Sequence, residues 1–139
     1  MYPTQMRSSP SNDWLCDALV SSGAISTPSV VAAFRATDRG HFLNVGEGGG
    51  VAEADAYTDM PLRQGVLHLS APSIYGTALE FLDLQPGHSF LNIGSGTGYL
   101  SALAATILGP RAVQFGVECR AELVSHARSK LDALGHHHV

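Results

Sequence analysis

Long apolar runs are missing from this sequence. No stretch approaches the roughly 18 consecutive apolar residues that span a bilayer, and the N-terminal MYPTQMRSSP lacks the apolar centre of a secretory signal. A soluble, cytoplasmic protein with no membrane partner is therefore expected. Basic charge is also short, with 8 Lys and Arg against 12 Asp and Glu, a formal net charge of -4. These basic residues are scattered rather than clustered, which argues against nucleic acid as a partner. Cysteine is limited to Cys16 and Cys119, far apart and without metal-type spacing. That excludes a disulfide framework, points to no metal site and fits a reducing compartment, each thiol being expected to lie buried or half-buried. What remains is 139 residues, 45% of them apolar, enough for the core of one small domain.

Residues 1–11 carry Pro, Ser, Thr and Gln with little apolar content, and are expected to fray. A first helix is predicted from Asn12, with that side chain as its cap, to a stop near Gly23. A second is predicted with Thr27 as N-cap and Pro28 at the first helical position, carrying an apolar stripe of Val30, Val31 and Phe34 and ending around Arg39 and Gly40. GEGGG at 46–50 lacks the Gly-Lys-Ser/Thr continuation of a phosphate loop and reads as a flexible surface loop. Residues 56–69 read as irregular, with a short strand over 66–69. Residues 73–84 read as a helix packed on the core through Ile74, Ala78, Leu79, Phe81 and Leu82, broken by Pro86 and Gly87.

Beyond that break the period changes. A buried strand is predicted over 89–93, a tight turn over 94–98, a helix over 99–108, a second strand over 112–117 and a helix over 121–134. Residues 12–84 thus form a helical and irregular region, and 85–139 a β-α-β-α unit. Such a unit opens a doubly wound, Rossmann-like α/β fold. Two parallel strands cannot cover their own edges or both faces. Either the N-terminal helices and a partner complete the layer, or the chain is a truncated piece of a larger domain.

The turn itself, within FLNIGSGTGYLSA, holds Gly94, Ser95, Gly96, Thr97 and Gly98, followed by Tyr99. Its third glycine falls one place too early for the dinucleotide fingerprint, and a bulky ring stands where pyrophosphate would meet the helix. S-adenosylmethionine, which has no phosphate, matches better, because small residues let the backbone pass close under it. Glu118 stands at the end of the second strand, where a carboxylate can accept from both ribose hydroxyls. Alone it reads equally well as a solvated acid; paired with the loop it reads as the ribose ligand. Ser70, before Pro72, reads from spacing alone as a helix cap or turn hydroxyl. His136, His137 and His138 point in different directions without accompanying carboxylates and read as a solvated loop, with no metal expected.

AFRATDRGHF (33–42), AYTDMPL (56–62), LSAP (69–72), LQPGHSFLNIGSGTGYLSA (84–102) and GVECRAELV (116–124) together resemble the N-terminal half of the protein-L-isoaspartate O-methyltransferase family. The resemblance covers residues 30–139. It implies a class I methyltransferase fold, S-adenosylmethionine as cofactor, and methylation of the misplaced carboxylate of isoaspartyl residues in damaged proteins or peptides. It assigns to Ser70 the hydrogen bond that orients the carboxylate, and to Asn92, Gly94 to Tyr99 and Glu118 the cofactor. LHLSAPSIYG, FLNIGSGTGYLS and ILGP look most like a domain-containing branch of the family, whose members resemble ubiquitin-ligase adaptors through a C-terminal extension; ubiquitin-ligase components are implied as partners only with such an extension. The family pattern has Thr at the place of His68, His at Ser73 and Tyr75, and Asp at Asn92. These departures favour a second reading, a module that binds cofactor and modified aspartyl groups without turnover; a third is a non-functional fragment. If the chain is truncated, the isolated piece is expected to bind the cofactor weakly.

Overall fold

The computed structural model describes residues 10–44 and 51–139; the GEGGG loop and most of the predicted fraying segment lie outside the described residues. Helix α1, Asn12–Ser21, is capped by Ser11, whose hydroxyl accepts from the Trp14 N–H at 3.2 Å. Asn12 is therefore not the cap. Its amide reaches across to α2, Pro28–Ala36, donating to the Phe34 carbonyl at 2.8 Å and accepting from the Arg39 N–H at 3.2 Å. Pro28 does open α2, but Thr27 caps it without a side-chain bond to the helix. Its hydroxyl instead donates to Glu80, a carboxylate that also accepts the Ser26 and Thr27 N–H groups. The helix stops at Ala36, and a separate 3₁₀ turn spans Arg39–Phe42.

The stretch read as irregular contains more order than predicted. A one-turn helix α3, Glu53–Ala56, precedes an antiparallel hairpin of β1, Leu62–Gln64, and β2, Leu67–Leu69, closed by Gly65 at φ 57°. Only the second strand was legible, because Leu67–Leu69 carries two apolar residues whereas Leu62–Gln64 carries one and is too short to show alternation. Helix α4, Pro72–Leu82, follows directly. Its buried face is Pro72, Gly76 and Leu79, whereas Ile74, Phe81 and Leu82 point to solvent, Phe81 at 87% exposure. The apolar stripe expected to pack inward is largely on the wrong side. Gly76 decides this, since its backbone lies so close to α1's exit loop that an added Cβ would sit 2.5 Å from Ile25 Cγ2.

That contact yields a test. Alanine favours a helix over glycine by about 1 kcal/mol, yet overpacking costs about 1–3 kcal/mol. Gly76→Ala should therefore lower stability by about 1 kcal/mol in urea melts; a stabilised variant would show that the α1–α4 seam is loose.

Strand β3, Phe90–Ile93, pairs in parallel with β4, Gln114–Val117, the register running from Phe90 opposite Gln114 to Ile93 opposite Val117. Helix α5, Tyr99–Leu108, connects them, and α6, Ala121–Ala133, follows β4. α5 is apolar almost all round and is the centre of the molecule, packed on the sheet on one side and on α2 on the other. Phe34, Phe42 and Leu103, from three different elements, are all essentially inaccessible. The first of these strands, predicted to be buried, is not. One face is covered by α5, while Leu91, Ile93, Phe115 and Val117 on the other each expose more than half their surface. The N-terminal helices cover α5 rather than adding to the sheet, which has two strands among the described residues.

Candidate functional site

The sheet ends at the glycine turn. The N–H groups of Gly94 and Ser95 both donate to the Val117 carbonyl, at 2.7 and 3.0 Å, so β3 leaves the sheet at the end of β4. Gly94, Gly96 and Gly98 then adopt φ of 75°, 54° and 88°, a left-handed conformation that side chains disfavour. The turn lines a cavity of about 290 Å³, together with the end of β2, the start of α4 and Glu118.

Of the residues predicted from sequence, Ser70, Asn92, Gly94, Ser95, Gly96, Thr97, Tyr99 and Glu118 all line this cavity. Gly98 does not. It faces a second cavity beside α6, where its own missing Cβ would lie 3.0 Å from the Ala127 Cβ. Tyr99 contributes to the floor, but its ring is turned into the core, edge-on to Phe34 and Tyr75 and tilted against Phe42. Burial pushes its hydroxyl pKa well up.

Glu118 is tied to the turn. Its carboxylate accepts from the Arg120 N–H at 3.2 Å, the Cys119 thiol at 3.3 Å and the Gly96 N–H at 3.0 Å. These donors, Arg120 foremost, hold its pKa below the ordinary carboxylate range, so it is ionised at neutral pH. Cys119, expected to be at least half-buried, is exposed; Cys16 is buried. Asn92 is almost fully buried, and its amide donates to the Ser101 hydroxyl at 3.1 Å.

Ser70 follows β2 and is half-buried. It is not the cap of α4: that position is Ala71, and the free Ser73 N–H is satisfied from a distance by Asp59, at 2.8 Å. The Ser70 hydroxyl makes no hydrogen bond to a described residue, whereas its backbone is held on both sides. Its N–H donates to the Tyr75 hydroxyl at 2.9 Å, and its carbonyl accepts from Arg39 at 3.3 Å. Arg39 is fully buried and spends its other contacts on the carbonyls of Ala56, Thr58 and Met60, at 2.9, 3.1 and 2.8 Å. Burial lowers its pKa, and among the described residues no carboxylate is paired to it.

Arg39 and Tyr75 are the site residues that sequence reasoning passed over as such. Tyr75 drew notice only as a departure from a pattern, and Arg39 looks locally like Arg35, four residues earlier. His68 also lines the cavity. Two of the three C-terminal histidines are less solvated than expected: His136 and His138 are half-buried, and burial lowers the His136 pKa, whereas His137 is exposed.

A parallel strand pair crossing over through a helix, with a glycine turn and a strand-end carboxylate on one cavity, is the opening unit of a Rossmann-like α/β fold. The chain belongs to the protein-L-isoaspartate(D-aspartate) O-methyltransferase family, whose model matches residues 10–139. It is 33% identical over 125 residues to protein-L-isoaspartate O-methyltransferase 1 of Arabidopsis thaliana, covering 88% of this chain and 51% of that one. It is 42% identical over 85 residues to the protein-L-isoaspartate O-methyltransferase of Methanothermobacter thermautotrophicus, covering 60% of this chain and 39% of the relative. The chain thus spans about half the length, or less, of these relatives. Among solved structures, it superposes with a TM-score of 0.75 on a protein-L-isoaspartate O-methyltransferase of Plasmodium falciparum in complex with S-adenosyl-L-homocysteine, at 23% identity, covering 88% of this chain and 56% of the other. A second protein-L-isoaspartate O-methyltransferase gives 0.76 at 25% identity, with 89% and 39% covered. The fold is that of the class I methyltransferases.

Proposed function

We propose that this chain carries the cofactor- and carboxylate-binding part of an S-adenosylmethionine-dependent methyltransferase acting on isoaspartyl residues of damaged proteins. The observation that carries the reading is the single cavity shared by the unbonded Ser70 hydroxyl, the glycine turn and the ionised Glu118. The donor set fits the cofactor. Glu118 offers carboxylate oxygens to ribose hydroxyls, and nothing lies within 4 Å of where a Cβ on Gly94 would be, leaving bare backbone to pass under a ligand. Asn92, Ser95, Gly96 and Thr97 line the same wall; Gly98 and Tyr99 act by shaping the turn and the start of α5. When bound, the sulfonium supplies an activated methyl group.

The chain's own task is then alignment. A carboxylate with a pKa of about 4 is already ionised at neutral pH, so no general base is needed. Ser70 donates to one carboxylate oxygen and holds the other in line, where orientation alone is worth orders of magnitude in rate. Proteins bearing isoaspartyl residues are the partners this chemistry calls for, and the two free thiols suit a reducing, cytoplasmic setting. Residues 12–139 act in this reading as one partial domain.

Methyl transfer from labelled S-adenosylmethionine to an isoaspartyl peptide tests the proposal. Ser70→Ala should lower the rate by about a hundredfold with cofactor affinity unchanged. Equal rates in the variant, or no transfer by folded protein, would sink it. A second reading, recognition without turnover, is favoured by Asn92, a neutral amide where the family pattern has Asp, its nitrogen donating to the Ser101 hydroxyl; there the chain would bind peptide and cofactor but release no methylated product.

A further inference from the structure

Tyr75 is one of the residues by which this chain departs from the family pattern, and its position is specific. It lies on the first turn of α4, its ring edge-on to Tyr99 with centroids 5.4 Å apart, and its side chain lines the cavity. Its hydroxyl oxygen accepts the Ser70 N–H at 2.9 Å. A phenolic hydroxyl is donor and acceptor at once. Here the acceptor side is used, and the proton is donated to no described residue. The Ser70 hydroxyl, on the same residue whose N–H the phenol meets, is likewise unbonded. Two neighbouring O–H donors without acceptors therefore face one cavity, on backbone that Arg39 fixes from the opposite side at the Ser70 carbonyl. Two free donors match the two oxygens of a carboxylate, whereas an amide nitrogen turns one of these hydroxyls from donor to acceptor, and the Tyr75 oxygen already accepts from the Ser70 N–H.

We propose that Tyr75 is a specificity-determining residue of this site: its phenolic O–H and the Ser70 hydroxyl grip the two oxygens of the acceptor carboxylate, so that an ionised carboxylate is selected over its neutral amide. The inference rests on the carboxyl-methyltransferase reading above and deepens it. It also separates two roles that fall on adjacent atoms. The Tyr75 oxygen positions Ser70 by accepting from its backbone, and the Tyr75 proton recognises the substrate. Only the second role depends on what the ligand carries.

The test is a nuclear magnetic resonance titration of the full chain, which detects weak binding, with an isoaspartyl peptide and with the same peptide carrying a carboxamide in place of that carboxylate. Wild type should prefer the carboxylate. In Tyr75→Phe the carboxylate peptide should weaken about tenfold, ~1.4 kcal/mol, and the amide peptide less than twofold, so that the preference collapses. Equal weakening of both peptides would reduce Tyr75 to a structural part and overturn the proposal while leaving the functional reading intact. Failure of wild type to bind the carboxylate peptide overturns both together. If Tyr75→Phe does not fold, wild-type protein labelled at the tyrosine Cζ carbon decides the matter. The Tyr75 signal should move with the carboxylate peptide and stay with the amide; no movement with either overturns the proposal.

Discussion

Replacing Arg39 by alanine should cost on the order of 3–5 kcal/mol and lower the thermal midpoint by about 10 °C or more. The guanidinium is fully buried and donates to the carbonyls of Ala56, Thr58, Met60 and Ser70. Those carbonyls belong to α3's end, the segment before β1 and the segment before α4, none of which can turn its backbone to water without leaving its place. Each buried acceptor left without a donor costs about 1–3 kcal/mol, against a total stability of roughly 5–15 kcal/mol for an ordinary domain. Arg39→Lys should recover part of the loss, because three rotatable donors cannot match a planar fork of five. Arg35→Ala is the control. Arg35 pairs with Asp13 and Asp17 at 3.4 and 2.5 Å on the exposed surface, a contact worth about 0–1 kcal/mol. Equal midpoints for Arg39→Ala and Arg35→Ala would refute the assigned role.

Gly98→Val should cost about 2–5 kcal/mol and abolish binding of S-adenosyl ligands. Two penalties combine. At φ 88° a β-branched residue is strained by the backbone alone, and its Cβ would lie 3.0 Å from the Ala127 Cβ and 3.4 Å from the Ala127 Cα. α6 would have to retreat from the turn. Because Glu118 and Arg120 immediately precede α6, the carboxylate would lose its registration with the Gly96 N–H. Gly96→Ala separates the two effects, since its nearest neighbour, the His68 carbonyl, would be 3.9 Å away. That variant should pay only the backbone strain, about 1 kcal/mol. Denaturant melts of both, with calorimetric titration of S-adenosylhomocysteine, make the comparison; if Gly98→Val is as stable as Gly96→Ala, the α6 contact is not what requires glycine there.

The β-α-β-α order was legible because each part carries a local signal: apolar strands, a glycine turn that tolerates left-handed φ, and helices bounded by Gly109 and Pro110. The cavity-lining glycines and Glu118 were legible for the same reason, as strand-end residues at a set separation. Orientation was not. α4 carries enough apolar residues for a core helix on two of its sides, and only the close approach of Gly76 to Ile25 selects the side that is buried. β3 reads as a fully buried strand, yet half of its side chains meet solvent because α5 is all that covers the sheet among the described residues.

The sequence by itself determined the class of fold, the glycine turn and the acid that lines the same cavity, since these depend on residues near one another in the chain. Only the tertiary structure decided between Arg35 and Arg39. The two arginines have the same chemistry, four residues apart, and one lies on the surface between two aspartates while the other sits beneath the Ser70 loop. It likewise decided that Tyr75 meets the Ser70 N–H and leaves two hydroxyl protons without an acceptor among the described residues. Burial and the pairing of donors with acceptors are properties of what packs against a side chain, and for Arg39 the most distant of its hydrogen-bond partners, Ser70, is 31 residues away in sequence.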